Sequence, residues 1–252
     1  MADLKEIVDF LNEYMRVRDF RDFPGSYNGL QFENSGKVSK IAAATDCGIE
    51  EIRQAREFGA DMLMVHHGMF WTVPIPIVGA NYRKIRELVE GDIAVYSCHL
   101  PLDAHREIGN SALIAKALDL KITGSCFNYE GEDLAVVCDM PRGGRAELAE
   151  RLKALFTKTY KGFEFGPENP QKLVICSGSG ASSLAHLPLE GYDTMICGEL
   201  KQGQYVYCQE QNLNVYPCGH YATECFGIDA LAKLAAQKFN LEYKFISSQN
   251  PL

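Results

Sequence analysis

The chain has 252 residues, of which 46% are hydrophobic and 23% charged, and its formal net charge is −8. This length supplies a core for one large domain or two small ones, whereas the acidic charge and the lack of long basic runs argue against nucleic acid as a partner. No apolar stretch approaches the roughly 20 residues that span a bilayer, and nine cysteines without a CxxC pair are typical of reduced thiols in a cytoplasmic protein.

Helix-like segments alternate with short apolar runs along the chain. MADLKEIVDFLNEYM (1–15) carries apolar residues at helical spacing and predicts an N-terminal helix. Further along, IEEIRQAREFGA leads into DMLMV (61–65), NYRKIRELVEG leads into DIAVYSC (92–98), and GQYVYCQEQN leads into LNVYPC (213–218). Such runs are typical of strands that are buried on both faces. Their alternation with helices predicts an α/β fold.

The middle of the chain has a different pattern. Residues 120–170 contain a predicted strand pair followed by a helix, and residues 161–171 are rich in Gly and Pro, as in a loop or linker. We therefore expect residues 1–125 and 172–252 to form an α/β core of two packed lobes that carries the metal site inferred below. Residues 126–171 are expected to form a smaller connecting element.

Polar side chains follow the predicted strands at their carboxyl ends. Four strand ends are followed by His66 and His67; by His99, Asp103 and His105; by Glu199 and Lys201; and by His220 and Glu224. Five of the six histidines therefore follow three strand ends. Because ligands of α/β folds bind beyond the carboxyl ends of the strands, this concentration predicts the functional site.

The ligand role of each group competes with an ordinary structural role. His66 and His67 are adjacent, so their side chains can converge only where the strand has ended, and Gly68 is consistent with such a break. Asp103 taken alone is typical of a helix N-cap. His220 and Glu224 are four residues apart and would share one helix face, as many surface pairs do. Together, however, these segments favour metal binding.

The donor set predicts the kind of metal site. Three imidazoles and two carboxylates suit Zn, Fe, Mn, Co or Ni and do not resemble a calcium site. Five ligands exceed what one tetrahedral catalytic zinc needs. We therefore expect two divalent metal ions about 3.5–4 Å apart that share a carboxylate, as in many hydrolases.

Other residues near these strand ends have less specific signals. His99, His105 and Glu199 are candidates for general acid/base catalysis. His99 and His105 could instead support the metal ligands or contact substrate, and Glu199 could bind substrate or begin a solvated helix. Phe70 and Trp71 could stack on a substrate or pack at a rim, and Lys201 could bind substrate or begin a solvated helix. The stretch SGSGASS (177–183) predicts a strand-to-helix turn, with an anion-binding loop as the alternative.

Several motifs in this order resemble one known family. YNGLQ (27–31), HHGMFW (66–71), HLPLDAH followed by EIGN, GEL (198–200), and GHYATE followed by FGI are similar to the GTP cyclohydrolase 1 type 2 homologs, which are Nif-three-like dinuclear-metal proteins. The likeness covers essentially the whole chain and fits the short bacterial form of the family.

The resemblance carries expectations about fold, assembly and ligands. It implies a Nif-three-like fold of two α/β lobes with mixed sheets flanked by helices. It also implies a ring-shaped homohexamer, a toroid whose metal pairs face an interior cavity. The implied ligands are His66, His67, Asp103, His220 and Glu224, with iron or a zinc-like divalent metal.

Three functions are consistent with these observations. The leading hypothesis is a dinuclear metal-dependent hydrolase, similar to GTP cyclohydrolase 1 type 2, that uses a metal-bound water on a small cyclic amide or nucleotide-like substrate. An alternative is a non-catalytic ring that stores metal or serves as a scaffold. A second alternative is a ring that binds single-stranded nucleic acid, which would require a basic lumen despite the net charge of −8.

Overall fold

The apolar runs of the sequence form the central strands of two mixed sheets. The computed structural model describes residues 1–70, 76–248 and 250–251. In chain order the strands are β1 (Ala2–Asp3), β2 (Gly29–Phe32), β3 (Lys37–Val38), β4 (Lys40–Asp46), β5 (Met62–His67), β6 (Ala94–Ser97), β7 (Ile122–Tyr129), β8 (Glu132–Asp139), β9 (Phe163–Glu164), β10 (Lys172–Cys176), β11 (Thr194–Cys197), β12 (Asn214–Pro217) and β13 (Glu242–Phe245).

Helices connect most of these strands. In chain order they are α1 (Leu4–Tyr14), α2 (Ile49–Phe58), α3 (Gly79–Gly91), α4 (Leu100–Asp103), α5 (Asn110–Ala117), α6 (Gly144–Leu155), a 3₁₀ segment (Gly180–His186), α7 (Gln202–Glu210) and α8 (His220–Phe239). In the part of the chain that the structure describes, no helix is long and apolar enough to cross a membrane.

The chain divides into two compact units. The first unit is Met1–Leu102 with Gly227–Gln249, and the second is Asp103–Phe226 with Asn250–Leu252. The boundaries fall inside α4 and α8, so His220 and Glu224 belong to the second unit although most of α8 belongs to the first.

The first unit contains a sheet whose described strands are ordered β13-β4-β5-β6-β2. β13, β4, β5 and β6 are parallel, and β2 runs antiparallel to β6 at the edge. The central strand β5 is fully buried from Met62 to Val65. Its side chains pack with buried residues of α2 and α3, among them Ile52 and Leu88. Parallel strands covered by helices are why this segment is a continuous apolar run.

The register of this sheet positions polar residues at one edge. Asp46 at the end of β4 lies opposite His67 at the end of β5. Val65 lies opposite Ser97 of β6. His66, which follows Val65, therefore lies beside Cys98, which follows Ser97. Because parallel strands end on the same side, their polar carboxyl ends meet there.

The second unit contains a sheet whose described strands are ordered β7-β8-β10-β11-β12-β9. β10, β11 and β12 are parallel, whereas β8 and β9 are antiparallel to their neighbours. Leu173 and Ile175 pack into one core cluster, and Val174 and Cys176 pack into another. This alternation shows that both faces of the sheet are covered. The mixed sheets and flanking helices confirm the predicted α/β class.

The division of the chain differs from the one expected from sequence. Residues 126–171 were expected to form a separate connecting element, yet their strands belong to the same sheet as β10–β12. Cys138 of β8 pairs with Leu173, and Phe163 of β9 pairs with Val215. The Gly and Pro residues at 161–171 mark the connection into this sheet. They do not mark the edge of a unit.

Candidate metal centre

His66 and His67 lie at the end of the central strand of the first unit. His66 is fully buried, whereas the side chain of His67 is 19% exposed. Their ring centroids are 4.8 Å apart, and the ring of His99 lies 5.0 Å from His66 and 5.7 Å from His67. One ring nitrogen of each histidine lies within 4.8 Å of the other two. The first unit therefore brings three imidazoles together.

The Nδ1 atom of each of these rings contacts an oxygen. His66 Nδ1 lies 2.9 Å from the carbonyl oxygen of Cys98, the residue that follows β6. His67 Nδ1 lies 2.8 Å from Oδ1 of Asp46, its partner in the register of β4 and β5. Peptide carbonyls and carboxylates only accept hydrogen bonds, so Nδ1 carries the proton in both rings and the lone pair is on Nε2.

His99 is held by a buried carboxylate from a distant part of the chain. Its Nδ1 lies 2.9 Å from Oδ1 and 3.1 Å from Oδ2 of Asp22, whose side chain is only 4% exposed. Asp22 also accepts from the Asn28 amide at 2.8 Å and from the Leu100 N–H at 3.0 Å. Burial alone would raise the pKa of Asp22, but the hydrogen bonds from His99 and from the Asn28 amide hold that pKa below its usual value.

In the second unit, α8 carries a histidine and a carboxylate on one face. Nε2 of His220 lies 3.1 Å from Oε2 of Glu224, and its Nδ1 lies 3.3 Å from Oε2 of Glu199. Glu224 is buried, and Glu199 is half exposed. The hydrogen bond to Glu224 raises the pKa of His220 to about 9 against the effect of burial, and Glu199 adds to the increase. Two carboxylates around one imidazole therefore favour its protonated form, and they concentrate negative charge at this position.

Asp103 lies close to Glu224 within the same unit. One carboxylate oxygen of Asp103 lies within 4.8 Å of a carboxylate oxygen of Glu224. Oδ1 of Asp103 accepts from the Asn110 amide at 2.8 Å and from the Ser177 hydroxyl at 3.3 Å. These two donors fix the orientation of the carboxylate. The second unit therefore brings Asp103, His220, Glu224 and Glu199 into one neighbourhood.

A glycine lets the loop after β10 approach Glu224. Gly178 has φ +57°, and a Cβ at this position would lie 1.8 Å from Oε1 of Glu224 and 3.1 Å from Nε2 of His220. The backbone of Gly178 is held by the Thr223 hydroxyl, which accepts from its N–H at 3.0 Å. Its carbonyl accepts from the N–H groups of Gly198 and Glu199. SGSGASS is thus a strand-to-helix turn that packs against the two α8 side chains.

Three other candidates lie in the described residues, one at a turn and two at exposed positions. Nδ1 of His105 accepts from the N–H groups of Glu107 and Ile108, at 3.2 and 3.3 Å, so it stabilises its own turn. Phe70 is 38% exposed, and Lys201 is exposed at the N-terminus of α7. Trp71 lies outside the residues that the structure describes.

The donors of both units fit a divalent metal of borderline character. The first unit offers imidazole nitrogens, and the second offers an imidazole and carboxylate oxygens. Nitrogen and oxygen sets of this kind suit Zn, Fe, Mn, Co or Ni. In His66, His67, His99 and His220, Nδ1 faces an oxygen acceptor. Metal-binding histidines are commonly held through the other ring nitrogen in this way.

The supporting residues could not be singled out from the sequence. Four residues donate to or accept from the predicted site residues, but none is part of a motif with metal-ligand spacing. They are Asp22, Asp46, Asn110 and Ser177. Asp46 ends an apolar run just as the histidines do, and this was the one signal that could have identified it.

Comparisons with known proteins agree with this fold and with these motifs. Residues 2–251 match the model of the Duf34/NIF3 (NGG1p interacting factor 3) family. A GTP cyclohydrolase 1 type 2 homolog of Deinococcus radiodurans is 36% identical over 96% of this chain and 92% of its own length. A solved structure of the protein ybgI superposes with a TM-score of 0.92 at 31% identity, and that of TTHA1606 from Thermus thermophilus superposes with 0.86 at 34%, each covering 100% of both chains. The expected resemblance is confirmed, and the chain belongs to the Duf34/NIF3 family.

Proposed function

We propose that the chain is a dinuclear metal-dependent hydrolase that acts on a small cyclic amide or a nucleotide-like substrate. The observation that carries this proposal is the shared tautomer of the adjacent His66 and His67, in which Nδ1 donates to an oxygen and Nε2 has the lone pair that a metal would use. The name of the relatives, GTP cyclohydrolase 1 type 2 homolog, suggests the same class of reaction.

The proposed ligands are His66, His67, Asp103, His220 and Glu224, and they would bind two divalent ions of Fe, Zn, Mn, Co or Ni. When bound, such a pair activates water at neutral pH and polarises the bond to be cleaved.

The chain's own residues keep these donors in position. The Cys98 carbonyl and Asp46 fix the rings of the adjacent histidines, and Glu199 fixes the ring of His220. Asn110 and Ser177 hold the carboxylate of Asp103. Because each donor is oriented before metal binds, little side-chain entropy is lost on binding.

Proton transfer is assigned to Glu199 in this proposal, with His105 as the alternative. The side chain of Glu199 is 46% exposed, so it can exchange protons with solvent between turnovers. Burial lowers the pKa of His105, which favours its neutral form. Phe70 and Lys201 are proposed as substrate contacts because both are solvent-accessible and follow predicted site residues in the chain.

The proposal includes assembly into a homohexameric ring, as the family resemblance implies. Light scattering coupled to size-exclusion chromatography should then give six times the chain mass, and a mass of one or two chains would remove the ring from the account.

The function is tested with metal-loaded protein and a defined substrate panel. Protein reconstituted with Fe(II), Zn(II) or Mn(II) is incubated with GTP and with lactams and cyclic ureides, and ring opening is followed by chromatography. We expect hydrolysis by the wild type and its loss in Glu224→Gln. We also expect a decrease of about 10²–10⁴-fold in kcat for Glu199→Gln when the variant is saturated with metal.

The other outcomes separate the competing functions. Metal binding without hydrolysis of any substrate would indicate the storage or scaffold alternative. Salt-sensitive binding of a labelled single-stranded oligonucleotide would indicate the nucleic-acid alternative.

A further inference from the structure

His99 is oriented in the same way as the proposed metal ligands of its own unit. Its ring lies 5.0 Å from that of His66 and 5.7 Å from that of His67. It is only 7% exposed, and one of its nitrogens lies within 4.8 Å of a nitrogen of each neighbour. Nitrogen atoms this close together can act as donors to one cation.

Asp22 determines which nitrogen of His99 has the lone pair. An ionised carboxylate only accepts hydrogen bonds, so Nδ1 of His99 is the donor and Nε2 has the lone pair. Asp22 is itself held by hydrogen bonds from the Asn28 side-chain amide and from the backbone N–H of Leu100. Oδ1 of Asn28 also accepts from the backbone N–H of His99 at 2.7 Å. The ring therefore has little freedom to reorient.

His105 shows the opposite arrangement and serves as an internal contrast. Its Nδ1 accepts from two backbone N–H groups, so its ring proton is on Nε2. The two histidines are similar in sequence context, since both follow the same strand, but only His99 has the tautomer of a ligand that binds through Nε2.

We infer that His99 is a further nitrogen ligand, so that His66, His67 and His99 together form a three-histidine site for a divalent cation, with Asp22 as the residue that orients His99. The inference rests on the metal binding of the proposed function and adds a ligand to it. Three imidazoles are a donor set that zinc and related ions use in catalytic sites, where further coordination positions remain open to water or substrate.

The test uses zinc chloride alone, without any substrate. Zinc affinity is measured by competition with a chromophoric chelator, and X-ray absorption of the bound zinc counts imidazole ligands. His99→Ala is expected to lower the affinity about 100-fold and to leave fewer imidazoles per bound zinc. Asp22→Asn, which keeps the size of the side chain and removes its charge, is expected to lower the affinity about 10-fold. His105→Ala is the matched control and should bind zinc like the wild type.

The outcomes distinguish this inference from the proposed function. If His99→Ala and Asp22→Asn melt at lower temperature but bind zinc with unchanged affinity and imidazole count, the pair is structural and the inference is wrong, while the five-ligand proposal stands. If His99→Ala does not fold, Asp22→Asn decides by the same measurements. A wild type that binds no zinc, iron, manganese or cobalt would overturn both.

Discussion

Gly178→Ala should separate the stability of the fold from metal binding. The added methyl would lie 1.8 Å from Oε1 of Glu224, in a backbone conformation with φ +57°. The left-handed conformation costs an alanine about 1–2 kcal/mol. For a chain of this size that corresponds to a decrease in Tm of roughly 2–8 °C.

The effect on metal binding should be larger than the effect on folding. To reach ordinary contact distance the Glu224 carboxylate must move by roughly 1.5 Å, whereas metal–ligand distances tolerate only about 0.2 Å. We therefore expect at least a roughly 100-fold loss of metal affinity, since displacements of about 1 Å have effects of this order at functional sites.

Gly191→Ala is the control for backbone strain. Gly191 also has a positive φ, +83°, but a Cβ there has no heavy atom within 4 Å. The Gly191→Ala variant should lose a similar amount of stability and should bind metal like the wild type. Tm from differential scanning fluorimetry and metal affinity from chelator competition are measured on both variants. If Gly178→Ala bound metal like Gly191→Ala, the reasoning that this loop positions Glu224 would be refuted.

Three further predictions concern the support of the site, the core and the thiols. Asp46→Asn should weaken metal binding about 10-fold through His67, as measured by chelator competition; unchanged affinity would show that this contact is only structural. Leu63→Ala at a fully buried position of β5 should cost about 2–5 kcal/mol in urea denaturation, and a cost below about 1 kcal/mol would contradict its central packing. Eight of the nine cysteines are buried, and burial raises the pKa of thiols such as Cys47 to about 12. Ellman's reagent at pH 7.5 should therefore label about one thiol per folded chain, Cys225, and all nine after unfolding; several fast-reacting thiols in the folded state would contradict this burial.

The sequence predicts the strands and the polar residues that follow them because both depend on local patterns. Buried parallel strands require uninterrupted apolar runs such as DMLMV, and a polar residue directly after such a run marks the strand end. The α/β class is confirmed for this reason. The ligand roles of His66, His67, Asp103, His220 and Glu224 stay predictions, although the structure brings together those that belong to the same unit.

The contacts that orient the histidines depend on distant parts of the chain and could not be predicted. Asp22 reaches His99 across 77 positions, and Asp46 reaches His67 only through the register of two strands. The different roles of His99 and His105 follow from the partners of Nδ1, which no spacing rule specifies. The same is true of residues 126–171, whose place in the larger sheet depends on pairing with β10 and β12.

Metal content per chain is the most direct test of the proposed dinuclear site. Protein purified without added metal or chelator is analysed by inductively coupled plasma mass spectrometry, and protein concentration is measured by amino-acid analysis. We expect close to two equivalents of a divalent transition metal per chain. A value near zero that is not restored by adding Fe, Mn or Zn would contradict it.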